Sequence, residues 1–153
     1  MASDVSTLKK IREETGYGVM DIKKALEQSR GDEKKAIELL KKWGIERSES
    51  KKERETKAGS VTSYIHGEGK VGVLLELLCE TDFVARTDDF RDLAHELCLQ
   101  ISSMSPKDTK ELLEQEYIRD PKSKISDLVK TVIGKLGENI TVSRFARFEL
   151  GSK

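Results

Sequence analysis

The chain has 153 residues, 36% hydrophobic and 37% charged, which is room for one ordinary domain or a small module joined to a larger one, and too little for a large enzyme core. Lys plus Arg is 28 and Asp plus Glu is 28, so there is no basic excess to supply a general nucleic-acid footprint, and a protein partner fits better. No run approaches the apolar length of a membrane span. Met1-Ala2-Ser3-Asp4 has neither the basic nor the apolar region of a secretory signal, and a cytoplasmic location is expected. Cys79 and Cys98 fall on apolar faces of expected elements, where a free thiol behaves as a small hydrophobe and no disulfide framework is expected.

A first helix is expected from Ser3 or Asp4, with Val5, Leu8 and Ile11 on one face, ending near Glu14 where Gly16 and Gly18 bracket Tyr17. A second carries Met20, Ala25 and Leu26 inward and stops at Arg30-Gly31. Asp32 caps a third, whose Ala36, Ile37, Leu39, Leu40 and Trp43 form a stripe closed by Gly44. Residues 1–44 thus read as a minimal three-helix bundle. Residues 45–57 are almost all charged and read as a linker, able to form a solvated helix through i, i+4 pairs but not a core.

Residues 58–153 read as a second unit. Val61, Ser63 and Ile65 alternate, Gly67-Glu68-Gly69-Lys70 turns the chain, and Val71, Val73, Leu75, Leu77 and Cys79 alternate again with Leu74 and Leu78 opposite, giving a hairpin whose second strand is covered on most of both sides. Leu93, Leu97, Ile101 and Met104 mark a long helix after Arg86-Thr87-Asp88-Asp89. Ser105-Pro106-Lys107-Asp108 reads as a serine cap with proline at the first helical position, and Tyr117 to Pro121 as a break. Ile125, Leu128, Val129, Val132, Ile133 and Leu136 form another helical stripe ended by Gly137. Ile140 and Val142 then alternate until Phe145 and Phe148 shift the phase, which suggests a third strand with a bulge or bend. The expected class is α+β: a three-stranded antiparallel sheet with helices on one face, preceded by the bundle.

Chemistry-bearing constellations are sparse. His66, His95, Cys79 and Cys98 have no zinc-finger spacing, so no metal or other cofactor is expected. Gly67-x-Gly69-x-x-Gly72 has phosphate-loop spacing but lies inside the hairpin, where its amides serve strand pairing, so an enzyme is not expected. The apolar strand ends at Glu80-Thr81-Asp82-Phe83-Val84, a strand-to-helix corner. Local pattern favours Asp82 as the cap of the next turn and Phe83 folded into the core; the alternative leaves Phe83 within reach of another molecule.

Three separated stretches match one family. Arg12-Glu13-Glu14-Thr15-Gly16-Tyr17-Gly18-Val19-Met20-Asp21-Ile22-Lys23-Lys24-Ala25-Leu26 resembles the N-terminal domain of the elongation factor Ts family; Cys79 to Arg86 resembles its core signature; and Leu136-Gly137-Glu138-Asn139-Ile140 with Arg144 to Phe148 resembles its ending. The resemblance implies a guanine-nucleotide exchange factor that binds elongation factor Tu, GDP-bound and nucleotide-free, and promotes exchange of GDP for GTP without covalent chemistry. It implies that 1–44 is a ubiquitin-associated-like bundle docking on the partner's GTPase domain through Arg12, Val19 and Met20. It also implies that Thr81, Asp82, Phe83 and Val84 disturb the partner's magnesium and phosphate site, Phe83 being the inserted side chain. Tyr17 stands where alanine is usual and Val19 where methionine is common. Long members carry two copies of the sheet-and-helix unit, and this chain resembles short forms that dimerise. The competing reading is a ubiquitin-associated-like adaptor without exchange activity; an RNA-binding accessory is weaker still, given the charge balance.

Overall fold

The computed structural model describes residues 5–152, so the expected helix start at Ser3 or Asp4 lies outside the described residues. Three helices come first: α1 (Val5–Thr15), α2 (Val19–Gln28) and α3 (Glu33–Glu49). Their core is Ile11, Tyr17, Ile22, Ala25, Leu26, Ala36 and Leu40. Ile11, Ala25, Leu26, Ala36 and Leu40 lie where helical spacing put them, while Tyr17 and Ile22 are additions. Met20, expected to turn inward, is 77% exposed because Ile22 takes the inner position of that turn. Asp32 caps α3 by accepting from the Lys35 N–H at 3.1 Å.

Gly44, expected to end α3, lies inside it. Two interactions beyond Gly44 explain the continuation. Both guanidinium nitrogens of Arg47 donate to the Asp21 carboxylate at 2.8 Å, tying the last turns of α3 to α2, and those hydrogen bonds hold the Asp21 carboxyl below the ordinary range. Ser48 is buried. The glycine itself is a crossing point: a Cβ built on Gly134 of the helix Ile125–Leu136 would stand 2.1 Å from the Gly44 carbonyl oxygen, so the two helices meet backbone to backbone. A mid-helix glycine costs about 1 kcal/mol relative to alanine in propensity, and close packing offsets it here.

The 58–153 unit is built on a sheet of β1 (Ala58–His66), β2 (Val71–Cys79) and a C-terminal strand Ile140–Glu149, in that order and antiparallel throughout. The expected irregularity in the last strand is a bulge. Glu76 pairs with Arg144 while Leu77 pairs with Val142, leaving Ser143 extra, its hydroxyl donating to Glu76 at 2.7 Å. Between β2 and that strand run α4 (Asp82–Ala85), α5 (Asp88–Met104), α6 (Thr109–Glu114), a two-stranded ladder β3 (Glu116–Tyr117) and β4 (Asp120–Lys124), and α7 (Ile125–Leu136); the C-terminal strand is β5.

Val73, Leu75, Leu77 and Cys79 face α5 and α7 and form one core with Phe90, Leu93, Leu97, Ile101, Ile125, Val129 and Ile133. The opposite face of β2 is open rather than covered: Leu74 is half exposed, flanked by exposed Val61, Ile65 and Phe148. The strand was expected to be covered on both sides because its run is apolar on both, but all the helices of this unit pack on one face. Two further expectations change. Ser105 is the left-handed C-cap of α5 at φ 48°, not the N-cap of the next helix, and Asp108 caps α6 by accepting from the Glu111 N–H at 2.8 Å, so Pro106 precedes the helix. Tyr117 to Pro121 turns into the β3–β4 ladder, anchored by buried Gln100, whose amide reaches the Glu116 carbonyl and the Ile118 N–H at 3.0 and 3.1 Å.

Candidate functional site

At the end of β2 the chain turns at Glu80 and Thr81 into the single turn of α4. Thr81, not Asp82, is the cap: its Oγ1 accepts from the Val84 N–H at 3.3 Å, and its extended backbone at φ −131° is what a cap position requires. Asp82, expected to cap, is the first helical residue and is exposed, its negative charge lying at the N-terminal end of the turn. Val84 is 5% exposed and anchors the turn in the core, while Phe83 beside it is 81% exposed. Local pattern had favoured the reverse for Phe83. A four-residue helix cannot bury adjacent side chains on one face, and Val84 takes the inward position.

The corner is braced from the other end of the fold. The Glu138 carboxylate, just past the left-handed Gly137 that ends α7, accepts from the Thr81 N–H at 3.0 Å and from its hydroxyl at 2.8 Å. Next to it, the Asn139 N–H donates to Glu80 at 2.8 Å. Asn139 also donates through its side chain to the Arg54 carbonyl at 2.8 Å, so the loop between α7 and β5 holds both the corner and the charged segment before β1. Downstream, the Thr87 hydroxyl donates to the Val84 carbonyl at 2.7 Å and its oxygen caps α5. Glu138 stood in a quoted sequence stretch, yet nothing in spacing alone assigned it a partner 57 positions away.

The Cys79 sulfur lies under the corner, donating to the Thr81 carbonyl at 3.2 Å; burial first, then nearby carboxylates, raises its pKa. Burial pushes the Cys98 thiol up to about 11. Both side chains are packing groups at neutral pH rather than thiolates. Among the described residues no cluster of His, Cys, Asp and Glu could hold a metal ion, and the two histidines lie against Tyr64, His66 accepting or donating at 2.8 Å and His95 edge-on with ring centroids 5.6 Å apart. No helix among them is long and apolar enough to cross a membrane.

The other sequence-derived positions lie at one end of the bundle. Met20 is 77% exposed and Val19 partly so, both in the first turn of α2, and Arg12 is exposed in the last turn of α1, where its carbonyl accepts from the Gly16 N–H at 2.8 Å. Tyr17, between them, turns inward to 5% exposure. Its ring lies 5.8 Å from the Lys135 ammonium, and that ammonium pairs with Asp89 at 2.7 Å. Burial is the main reason its phenol is pushed up to about 12. The Thr81 cap and the Tyr17–Lys135–Asp89 cluster were missed in sequence; a threonine three residues before a buried valine is a cap signal, whereas the cluster exists only through the α3–α7 crossing.

What this fold and corner define is an α+β protein that carries exposed apolar side chains on its turns. Residues 80–153 match the family model described as Elongation factor TS. Over the whole chain, the sequence is 41% identical to elongation factor Ts of Thermotoga neapolitana, covering 100% of both chains. It is 41% identical to that of Coprothermobacter proteolyticus, covering 99% of this chain and 100% of the relative, and 40% identical to that of Thermotoga maritima, covering 99% and 98%. The chain belongs to the elongation factor Ts family, and its role is that of a translation elongation factor. The first of these alignments runs over 196 residues, so that relative carries segments with no counterpart among the 153 here.

Proposed function

We propose that this chain is a guanine-nucleotide exchange factor for elongation factor Tu, acting by binding alone and making or breaking no covalent bond. The observation that carries the reading is Phe83, 81% exposed on a corner held by Glu138, Thr87 and the buried Val84. An aromatic left in water costs the free chain apolar hydration, and a rigid one loses little conformational freedom on docking. Phe83 is the inserting side chain, beside the partner's phosphate and magnesium site. Thr81 and Val84 hold its backbone, and Asp82 adds negative charge next to it. Arg12, Val19 and Met20 dock the bundle, residues 1–44, on the GTPase domain; residues 45–57 join it to the exchange unit, 58–153. Whatever factor the chain applies to GDP affinity, GDP applies to the affinity of the chain, so side chains that bind only the nucleotide-free partner drive release.

The same reading includes a homodimer through the open sheet face. Val61, Ile65, Leu74, Phe148 and Leu150 leave an apolar surface uncovered, and a second copy of the same face is self-complementary across a two-fold axis.

The test follows fluorescent GDP leaving elongation factor Tu, with excess GTP as chase and catalytic amounts of this chain. Wild type accelerates release. Phe83→Ala melts at the wild-type temperature but loses about 2–4 kcal/mol of affinity for the nucleotide-free partner, the usual range for a central interface aromatic. No acceleration by the wild-type chain would leave the adaptor reading standing.

A further inference from the structure

The bundle and the sheet unit meet at a joint that the exchange reading does not require. Helices α3 and α7 cross at Gly44 and Gly134 with no side chain between them; a Cβ on Gly44 would lie 3.3 Å from the Thr131 carbonyl and 3.1 Å from the Tyr17 hydroxyl. Tyr17 therefore fills the edge of the crossing. Its hydroxyl is buried against Gly44 with no hydrogen-bond partner among the described residues, so the contact is one of packing rather than of hydrogen bonding. Lys135, next to Gly134, is 15% exposed at its side chain and reaches the face of that ring on one side and Asp89, in the first turn of α5, on the other.

Followed in both directions, these contacts are continuous. Tyr17 is two residues from Val19 and three from Met20. Asp89 is two residues from Thr87, whose hydroxyl holds the Val84 carbonyl beside Phe83. Two further ties cross the same boundary: Lys130 to Glu49 at 3.7 Å and the Asn139 side chain to the Arg54 carbonyl at 2.8 Å. Residues 45–57, which composition reads as a tether, are thus held at both ends.

We infer that Tyr17 and Lys135, seated on the Gly44–Gly134 crossing, are positioning residues that fix the spacing between the Val19–Met20 turn and Phe83, so that a partner meets both as one rigid surface. The inference rests on the exchange reading for what the spacing serves, but the joint itself is a property of the free chain. Two contacts at a matched fixed distance make the second binding event intramolecular at high effective concentration. A loose tether spreads the same side chains over many distances, and the advantage falls with the spread. A partner that must be engaged at two places at once is bound most tightly when neither element has to search.

The experiment places spin labels on Lys34→Cys in α3 and Arg91→Cys in α5, both exposed positions, with Cys79 and Cys98 buried and out of reach of the label. Labelled chain is diluted into unlabelled chain so that only distances within one molecule are read. The wild type gives one narrow distance distribution. Tyr17→Phe keeps it, since the hydroxyl has no partner, while Tyr17→Ala and Lys135→Met broaden it without loss of helical signal; Gly134→Ala shifts it, because the methyl meets the Gly44 backbone. Affinity of the broadened variants for nucleotide-free elongation factor Tu falls about tenfold, with Val19, Met20 and Phe83 unaltered. A broad wild-type distribution overturns the joint, and broadened variants that bind as tightly as wild type overturn its role. If the wild type itself neither binds nor accelerates exchange, the functional reading fails while the distance measurement still decides whether the joint is rigid.

Discussion

The carboxylate of Glu138 straddles Thr81, taking its backbone N–H at 3.0 Å and its hydroxyl at 2.8 Å, from a loop on the opposite side of the sequence. One side chain thereby satisfies the donors of a cap residue whose oxygen is already committed to the Val84 N–H. The pair holds the backbone of the corner from which Phe83, 81% exposed, projects.

Glu138→Ala should cost about 1–2 kcal/mol of stability, the lower part of the range for charge-assisted hydrogen bonds because the pair is partly exposed. Its effect on GDP release from elongation factor Tu should be larger than that stability loss suggests, because the α4 turn loses its aim. Glu138→Gln, which retains an acceptor for the amide, should recover part of the rate. The check is release rate against thermal melting for both variants; equal release by Glu138→Ala and wild type would remove Glu138 from the mechanism.

Much of the core was legible in the sequence, because alternation in β1 and β2 and the stripes of α5 and α7 report burial through side-chain period alone. The three antiparallel strands and an irregularity in the last of them followed from the same periods, but the strand order and the place of the bulge, at Ser143, did not. What stayed hidden depends on contacts far apart in sequence. Gly44 carries the letter of a helix stop, yet its role comes from Gly134, 90 positions on. The open face of β2 reads as covered because Leu74 and Leu78 are apolar, and period 2 cannot say what lies over a face. At the corner, the family motif and the local pattern disagreed about Phe83, and the structure places it outward because Val84 occupies the core position.

Gly59 offers a sharper test of the sheet. Its φ of +137° lies where glycine alone is comfortable, and a Cβ there would stand 2.1 Å from the Leu77 carbonyl oxygen and 2.8 Å from the Leu78 Cα. Gly59→Ala should destabilise by about 3 kcal/mol or more, since both the backbone conformation and the β1–β2 spacing must change. Chemical denaturation reads this directly. A loss under about 1 kcal/mol would mean that β1 can move away from β2 at this point at little cost.

Charge placed on the open sheet face should separate the proposed dimer without unfolding the monomer. Leu74 lies centrally, paired with Ser63 on one side and Ala146 on the other, and Phe148 flanks it across Gly72. Leu74→Lys with Phe148→Lys removes apolar surface and gives both copies of the face the same sign of charge. Sedimentation of the double variant should give a monomer mass at concentrations where the wild type is dimeric, with an unchanged far-ultraviolet spectrum. A wild type that remains monomeric into the near-millimolar range would remove the dimer from the proposal.

Alkaline pH should lower the stability of the fold, and the sign follows from Tyr17. Its phenol is pushed from an ordinary 10.0 to about 12, burial being the largest cause. Below about pH 10 the phenol is protonated both folded and unfolded and contributes no pH dependence. Between about 10 and 12 the unfolded chain releases the proton while the folded chain keeps it. The folded state then binds more protons, and stability falls as pH rises. At about 1.4 kcal/mol per pKa unit, Tyr17 accounts for about 2–3 kcal/mol at most. Tyr117 moves in the same direction, through burial first and then the hydrogen bond its hydroxyl donates to Glu96 at 2.6 Å, so the wild-type slope combines both residues. Tyr17→Phe isolates one of them: it should match wild type at pH 8 and lose less stability by pH 11. Urea midpoints for the two chains across that interval are the measurement. Parallel curves would mean that the phenol ionises freely in the folded chain and that Tyr17 is not sealed into the α3–α7 crossing.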